Sequence, residues 1–175
     1  MSLLGEFRRL PADLLEEIRA TPRDAYDRLA DLDDMLDLDR SWERLAKLID
    51  RTGFPLNPIT AGTPFPDEHH AFGRAGGSRA LTIEEVAAAA ERLSQVPFDV
   101  LQANLRPLLE TEPISPQSFE SQMLGWPFDP RLDVNRLKAE REQAVRITLA
   151  GSYSDLVRFF CVAAEKQDCT VFWVE

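Results

Sequence analysis

The apolar positions of this chain change period several times. From Leu4 to Leu10 they alternate, with Leu4, Glu6 and Arg8 on one side and Gly5, Phe7 and Arg9 on the other, which predicts a strand. Pro11 follows where a helix can begin, because the first turn does not use the missing N–H. Leu14, Leu15 and Ile18 then form one apolar stripe at helical spacing. Thr21-Pro22 predicts a second short helix, with Thr21 as cap and Tyr26, Leu29 and Ala30 inward. Asp31 to Asp39 holds five aspartates and reads as a polar connection, with Asp39 capping the next helix. That helix carries Leu38, Trp42, Leu45, Leu48 and Ile49 at spacings of three and four, and Gly53 stops it.

Residues 54–79 lose helical periodicity and are rich in glycine and proline. A brief extended piece near Leu56–Thr60 and a short strand from Ser78 to Leu81 fit there. Thr82 to Glu85 spells a capping box, in which the Thr hydroxyl serves one free N–H and Glu85 reaches back to another. The helix behind it places Ile83, Val86, Ala87, Ala90 and Leu93 on one side and ends at Pro97. Phe98 to Leu105 predicts a further short helix closed by Pro107. Glu110 to Pro130, with four prolines, reads as irregular. A charged helix runs from Asp133 towards Leu149, Gly151-Ser152 interrupts it, and Tyr153, Leu156, Val157, Phe160 and Ala164 form an apolar helix. The β-branched and aromatic run Thr170 to Val174 closes the chain as a strand with both faces covered. Few strands with segregated helices predict an α+β fold. It has a small mixed or antiparallel sheet including the N- and C-terminal strands, packed by several helices, in a single domain over residues 1–175.

Composition narrows the function classes. The 175 residues carry 30 acidic and 20 basic side chains, a formal net charge of −10. That balance opposes binding to nucleic acid, which needs a basic face, and docking on anionic lipid. No secretory signal or run of about 20 apolar residues is visible, so no membrane span is expected. Cys161 and Cys169 form no CxxC or paired framework, which fits a reducing cytoplasm. Both read as small buried hydrophobes.

Three clusters invite chemistry. Asp67-Glu68-His69-His70 brings both histidines beside carboxylates, yet His69 and His70 are adjacent and point to different sides. No HExxH pattern or third histidine completes a zinc site, so no metal is expected and the segment reads as a solvated loop. Gly73 to Arg79 is glycine-rich, with Arg74 and Arg79 as guanidinium forks able to contact an anion or carboxylate. It matches neither a P-loop nor a dinucleotide fingerprint, so no cofactor is expected. The aspartates of 31–39 fail the EF-hand rule, because its sixth and twelfth positions hold Leu36 and Trp42. Trp126, between Gly125 and Pro127, is either a loop anchor or part of an exposed recognition patch, and the same choice applies to Phe65 and Phe72. No serine sits in GxSxG, and no catalytic residue is assigned.

Four ordered segments carry a family resemblance. They are Gly5-Glu6-Phe7-Arg8-Arg9-Leu10, Asp37-Leu38-Asp39-Arg40-Ser41-Trp42, Arg79 to Val86, and Phe159 to Glu165 leading into Val171-Phe172-Trp173-Val174. In this order they resemble the YfbM-like family of small bacterial proteins, a domain of unknown function. The resemblance implies an α+β fold and a soluble bacterial protein, and it brings no catalytic residue. The expected function is a non-catalytic protein-binding module of a bacterial cytoplasm, an acidic antagonist of immunity type for a basic partner. One alternative is a small-molecule or anion-binding protein or enzyme with a site near the 67–79 loop, in a cleft near the loops 56–79 and 115–130 where His70, Arg74 and Arg79 would converge on an anionic ligand, with His69 and Trp126 as further candidate binding residues. The other is self-association through the terminal strand or the apolar helix.

Overall fold

The N-terminal strand β1 (Gly5–Leu10) lies beside the C-terminal strand β5 (Cys169–Val174), antiparallel, with Gly5 opposite Val174 and Leu10 opposite Cys169. The computed structural model describes residues 4–21, 24–65, 78–112 and 134–174. Between the two strands come α1 (Ala12–Ala20), α2 (Ala25–Ala30), β2 (Met35–Asp39), α3 (Trp42–Arg51), β3 (Thr63–Pro64) and β4 (Arg79–Leu81). They are followed by α4 (Ile83–Gln95), α5 (Phe98–Gln102), α6 (Leu105–Glu110) and α7 (Val134–Lys166). The five strands form one antiparallel sheet in the order β2-β1-β5-β4-β3. This is the expected α+β arrangement, with both terminal strands in the sheet.

Alternation along the strands separates two cores. Phe7, Leu36, Leu38, Leu81, Phe172 and Val174 face the larger one, built with α3 to α7. Leu10, Ala80, Cys169, Val171 and Trp173 face the smaller one, with Leu15, Ile18, Ala25 and Leu29 of α1 and α2. Phe7 is the hub of the larger core. Its ring centroid lies 4.7 Å from Phe172, 5.5 Å from Phe160 and 5.8 Å from Phe159, in tilted and edge contacts that aromatic quadrupoles favour. Gly5 is required for close approach: a Cβ there would lie 2.6 Å from Cγ of Trp42. All six residues of β5 are buried, as its β-branched and aromatic content predicts.

The helix starts and stops largely follow the sequence. α1 begins just after Pro11, and its buried residues are Leu15 and Ile18. Gly53, at φ 71°, follows α3. The capping box of α4 is formed, with Thr82 Oγ1 accepting from the Glu85 N–H and Glu85 Oε2 accepting from the Thr82 N–H.

Several readings are corrected. On α4 the inward residues are Val86, Ala89, Ala90 and Leu93, and Ala87 is exposed. The single helix expected from Phe98 to Leu105 is two, α5 and α6. Met35–Asp39 is a strand: Leu36 and Leu38 turn inward while Met35, Asp37 and Asp39 face solvent. Leu38 therefore belongs to the sheet, and Asp39 takes φ 46° at the exit of β2 without capping α3. The extended piece after α3 is at Thr63–Pro64, beyond Leu56–Thr60. The inward pair of α2 is Ala25 and Leu29, with Tyr26 39% exposed, and the Thr21 hydroxyl donates to the Glu17 carbonyl at the end of α1. Pro107 lies inside the first turn of α6, where its missing N–H has no helical partner to lose. Finally, Gly151-Ser152 does not break α7, which runs unbroken for 33 residues. A helical glycine costs about 1 kcal/mol relative to alanine. The buried stripe Val145, Leu149, Tyr153, Leu156, Phe160 and Ala163 crosses that position in phase, and its packing outweighs the penalty.

Among the described residues α7 alone is long and apolar enough to cross a membrane, a test that the core helix of a globular protein also passes. Its apolar stripe is used against the sheet and α4. β5 lies in the sheet interior, paired along its whole length with β1 and at Thr170–Phe172 with β4, so it is not an edge strand. The free edge at β2 is short and guarded. The Met35 N–H is taken by the Asp33 carbonyl at 3.0 Å, and the Asp39 N–H by Asp37 Oδ1 at 2.6 Å. At the opposite edge, β3 ends in Pro64.

Candidate functional site

His69, His70, Arg74 and Trp126, with Phe72, lie outside the described residues. Arg79 is in β4, half-buried, opposite Pro64 on one side and Phe172 on the other. Phe65 is 8% exposed and belongs to the smaller core, with the Arg19 guanidinium 5.8 Å above its ring. It is a packed residue and not part of a recognition patch. Cys169 is buried, which pushes its thiol pKa up and keeps the unreactive protonated form. Cys161 is half-buried on α7, with Sγ 3.2 Å from the Ser94 hydroxyl oxygen.

The structure draws attention to a different region. Residues 11–40 hold ten carboxylates and four arginines, so they carry six of the ten net negative charges. They form α1, α2 and β2, on one side of the sheet and at its β2 edge. Asp13, Glu16, Glu17, Asp24, Asp27, Asp31, Asp33, Asp37 and Asp39 are all exposed. Two of the arginines pair within the segment itself: Arg28 bonds Glu17 at 2.6 Å, and Arg19 lies 3.6 Å from Glu16, which leaves the remaining carboxylates in excess. Below this surface the Arg8 side chain is buried. Its Nε donates to the Leu29 carbonyl at 3.0 Å, and its guanidinium sits 5.7 Å from the Trp173 ring centroid. Arg8 therefore ties the end of α2 to the sheet and contributes little charge to the surface.

Four large hydrophobic side chains are conspicuously exposed among the described residues: Tyr26, Met35, Val100 and Ile147. Two of them, Tyr26 and Met35, fall within the acidic segment. At its edge a notch of about 230 Å³ opens between β2 and α7. Arg9 reaches Asp34 there, and this hydrogen bond holds the Asp34 carboxyl below the usual carboxylate range, with Lys166 4.0 Å away adding to the effect.

Two other concave places differ in character. A cleft of about 790 Å³ lies between α6 and the first turns of α7, and its charged lining is evenly mixed: Arg106, Lys138 and Arg141 against Glu110, Glu112 and Glu142. Glu112 Oε2 accepts from Nη2 of both Arg44 and Arg141, at 2.8 and 3.0 Å, which joins α3, α6 and α7. Arg141 also donates to the carbonyls of Leu109 and Glu112 at 3.4 Å, serving acceptors left open at the end of α6.

A shallower groove of about 460 Å³ lies between the end of α4 and α7, over Tyr153. The Tyr153 hydroxyl lies 2.7 Å from the Val96 carbonyl and 3.2 Å from the Leu93 carbonyl. Burial pushes its pKa up to about 12. The neutral phenol is favoured in the folded state, so its contribution is complete below the unfolded value near 10 and is lost as pH rises through about 12. Denaturant midpoints measured from pH 9 to 12 should fall more steeply for the wild type than for Tyr153→Phe. Equal slopes would show that Tyr153 does not carry this dependence.

The geometry supplies surfaces and structural ion pairs. Among the described residues no group of three or more His, Cys, Asp or Glu side chains is placed to hold a metal ion. Comparison with curated proteins gave no match. Among solved structures, the crystal structure of YfbM from Escherichia coli, a protein of unknown function, aligns with a TM-score of 0.56 at 16% identity. The alignment covers 98% of this chain and 99% of that one, so the likeness is one of fold. The family model described as a domain of unknown function, DUF1877, matches residues 1–173, and the chain belongs to that family.

Proposed function

We propose that the chain is a non-catalytic protein-binding module of the bacterial cytoplasm whose acidic α1-α2-β2 face takes a basic partner, as an antagonist of immunity type would. The observation that carries this reading is the coincidence of charge and exposed apolar surface. Residues 11–40 concentrate the net negative charge, and Tyr26 and Met35 stand exposed within them. Apolar anchors within a polar rim are the usual composition of a protein interface. A field of one sign raises the encounter rate with a partner of the other.

The experiment is affinity capture of the tagged protein from its host's lysate at low and high salt, with native mass spectrometry of the eluate. The reading expects one stoichiometric basic protein that is released at high salt. An added small mass that survives desalting, with no protein partner, would contradict it and move the weight to a ligand site.

A further inference from the structure

We propose that the outward face of α7 is the contact through which two copies of this chain form an antiparallel dimer. The inference goes beyond the acidic-face reading and does not depend on it, because α1 and α2 pack on the other side of the sheet. It starts from charge. The chain as a whole carries −10, which opposes contact between two copies. α7 departs from that balance, with six basic and four acidic side chains, so a self-contact is less opposed there.

The middle of this face is uncharged and open. Ile147 is 61% exposed, the most among the exposed large hydrophobics of the described residues. One turn on, Gly151 is exposed, and a Cβ there would meet no atom within 4 Å. Packing inside the chain therefore does not require a glycine at a position where it costs helix stability. A second helix crossing there would use it, because two axes approach most closely over residues with little or no side chain. The adjoining groove of about 460 Å³ is lined by Leu93, Pro97, Phe98, Ala150 and Val157 among others, and it holds no carboxylate.

The order of charges along the face selects the occupant. At helical steps of three and four, Arg136 and Glu140 precede Ile147, and Arg158 and Glu165 follow Ser154. Reversed against itself about a two-fold axis between Ala150 and Gly151, this order is self-complementary. Arg136 meets Glu165 of the second copy, and Arg158 comes within a turn of its Glu140. Ile147 faces Ser154 of the second copy, which lines the groove there. Each contact occurs twice, as an isologous interface requires. The intrahelical pairs of Arg136 with Glu140 and of Arg158 with Asp155 persist, since a guanidinium with five donors serves more than one carboxylate. A parallel pairing would set Arg136 on Arg136 and Glu165 on Glu165, so charge also fixes the direction.

The test is sedimentation velocity of the full-length protein over a wide concentration range, with native mass spectrometry of the same samples. The wild type should show a monomer–dimer equilibrium with no larger species. Gly151→Arg should weaken the dimer by about tenfold or more, by placing a long side chain at the crossing. The site is open and arginine is a good helix former, so the urea midpoint of that variant should not fall. Glu165→Arg should weaken the dimer by about fivefold, the size expected for two exposed charge pairs turned repulsive, and adding Arg136→Glu should restore it. A monomer at every concentration would overturn the proposal, as would assembly beyond the dimer. So would a dimer that is indifferent to Gly151→Arg, or a charge reversal without effect or without rescue, since the antiparallel register requires both. Any of these results leaves the acidic-face reading to its own test.

Discussion

Phe7→Ala is expected to lower the unfolding free energy by about 3–5 kcal/mol, the range for truncating a large aromatic in a packed core. Phe7 is fully buried and is the central strand residue on which the rings of Phe159, Phe160 and Phe172 meet. Those rings come from the end of α7 and from β5, so the cavity would open at the junction that holds the terminal helix on the sheet. The surrounding elements are fixed by strand pairing on one side and by α4 on the other, which limits collapse into the gap. Phe7→Leu should lose distinctly less, because it refills most of the volume. Urea unfolding followed by tryptophan fluorescence measures both variants. A loss below about 1 kcal/mol for Phe7→Ala would mean that the ring cluster is not a main support of the fold.

Glu112→Ala should cost about 2–3 kcal/mol. Removing one partner of a fully buried ion pair costs about 3–5 kcal/mol, and the figure is reduced here because the Arg44 and Glu112 side chains are 25% and 21% exposed. Without Glu112 the guanidiniums of Arg44 and Arg141 face each other across the junction of α3, α6 and α7 with their shared carboxylate gone. Glu112→Gln keeps the shape and one acceptor and should cost less. A double-mutant cycle with Arg141→Met isolates the coupling, and an interaction energy near zero would remove the ion-pair cluster as a structural element.

What the sequence could show depended on how local the cause was. The capping box at Thr82, the inward Leu45, Leu48 and Ile49 of α3 and the β-branched terminal strand are each determined within a few residues, and they stand where the pattern placed them. β2 was not legible, because Met-Leu-Asp-Leu-Asp alternates for only five residues and its aspartates disfavour strands in isolation. Pairing with β1 decides the matter, since Leu36 meets Phe7 across the strands and has a core to enter. Gly151 misled for a related reason: local propensity opposes the helix there, and the stripe on either side supplies the packing that keeps it. Of the residues singled out for binding, Arg79 is placed in the sheet, and the others lie outside the described residues. The aspartate-rich segment read as a mere connection is now the candidate surface. The notch and the Glu112 cluster join residues far apart in the chain, so no spacing rule could have found them.

The central claim is that acidic residues on the α1-α2-β2 face steer a basic partner. Its most direct test compares the association rate of the captured partner with wild type and with a variant carrying Asp24→Asn, Asp27→Asn, Asp31→Asn and Asp33→Asn. All four side chains are exposed, so the fold should be retained. At low salt the variant should associate about tenfold or more slowly, and the two rates should converge as salt is raised. Equal rates at low salt, or a wild-type rate that does not respond to salt, would contradict the account.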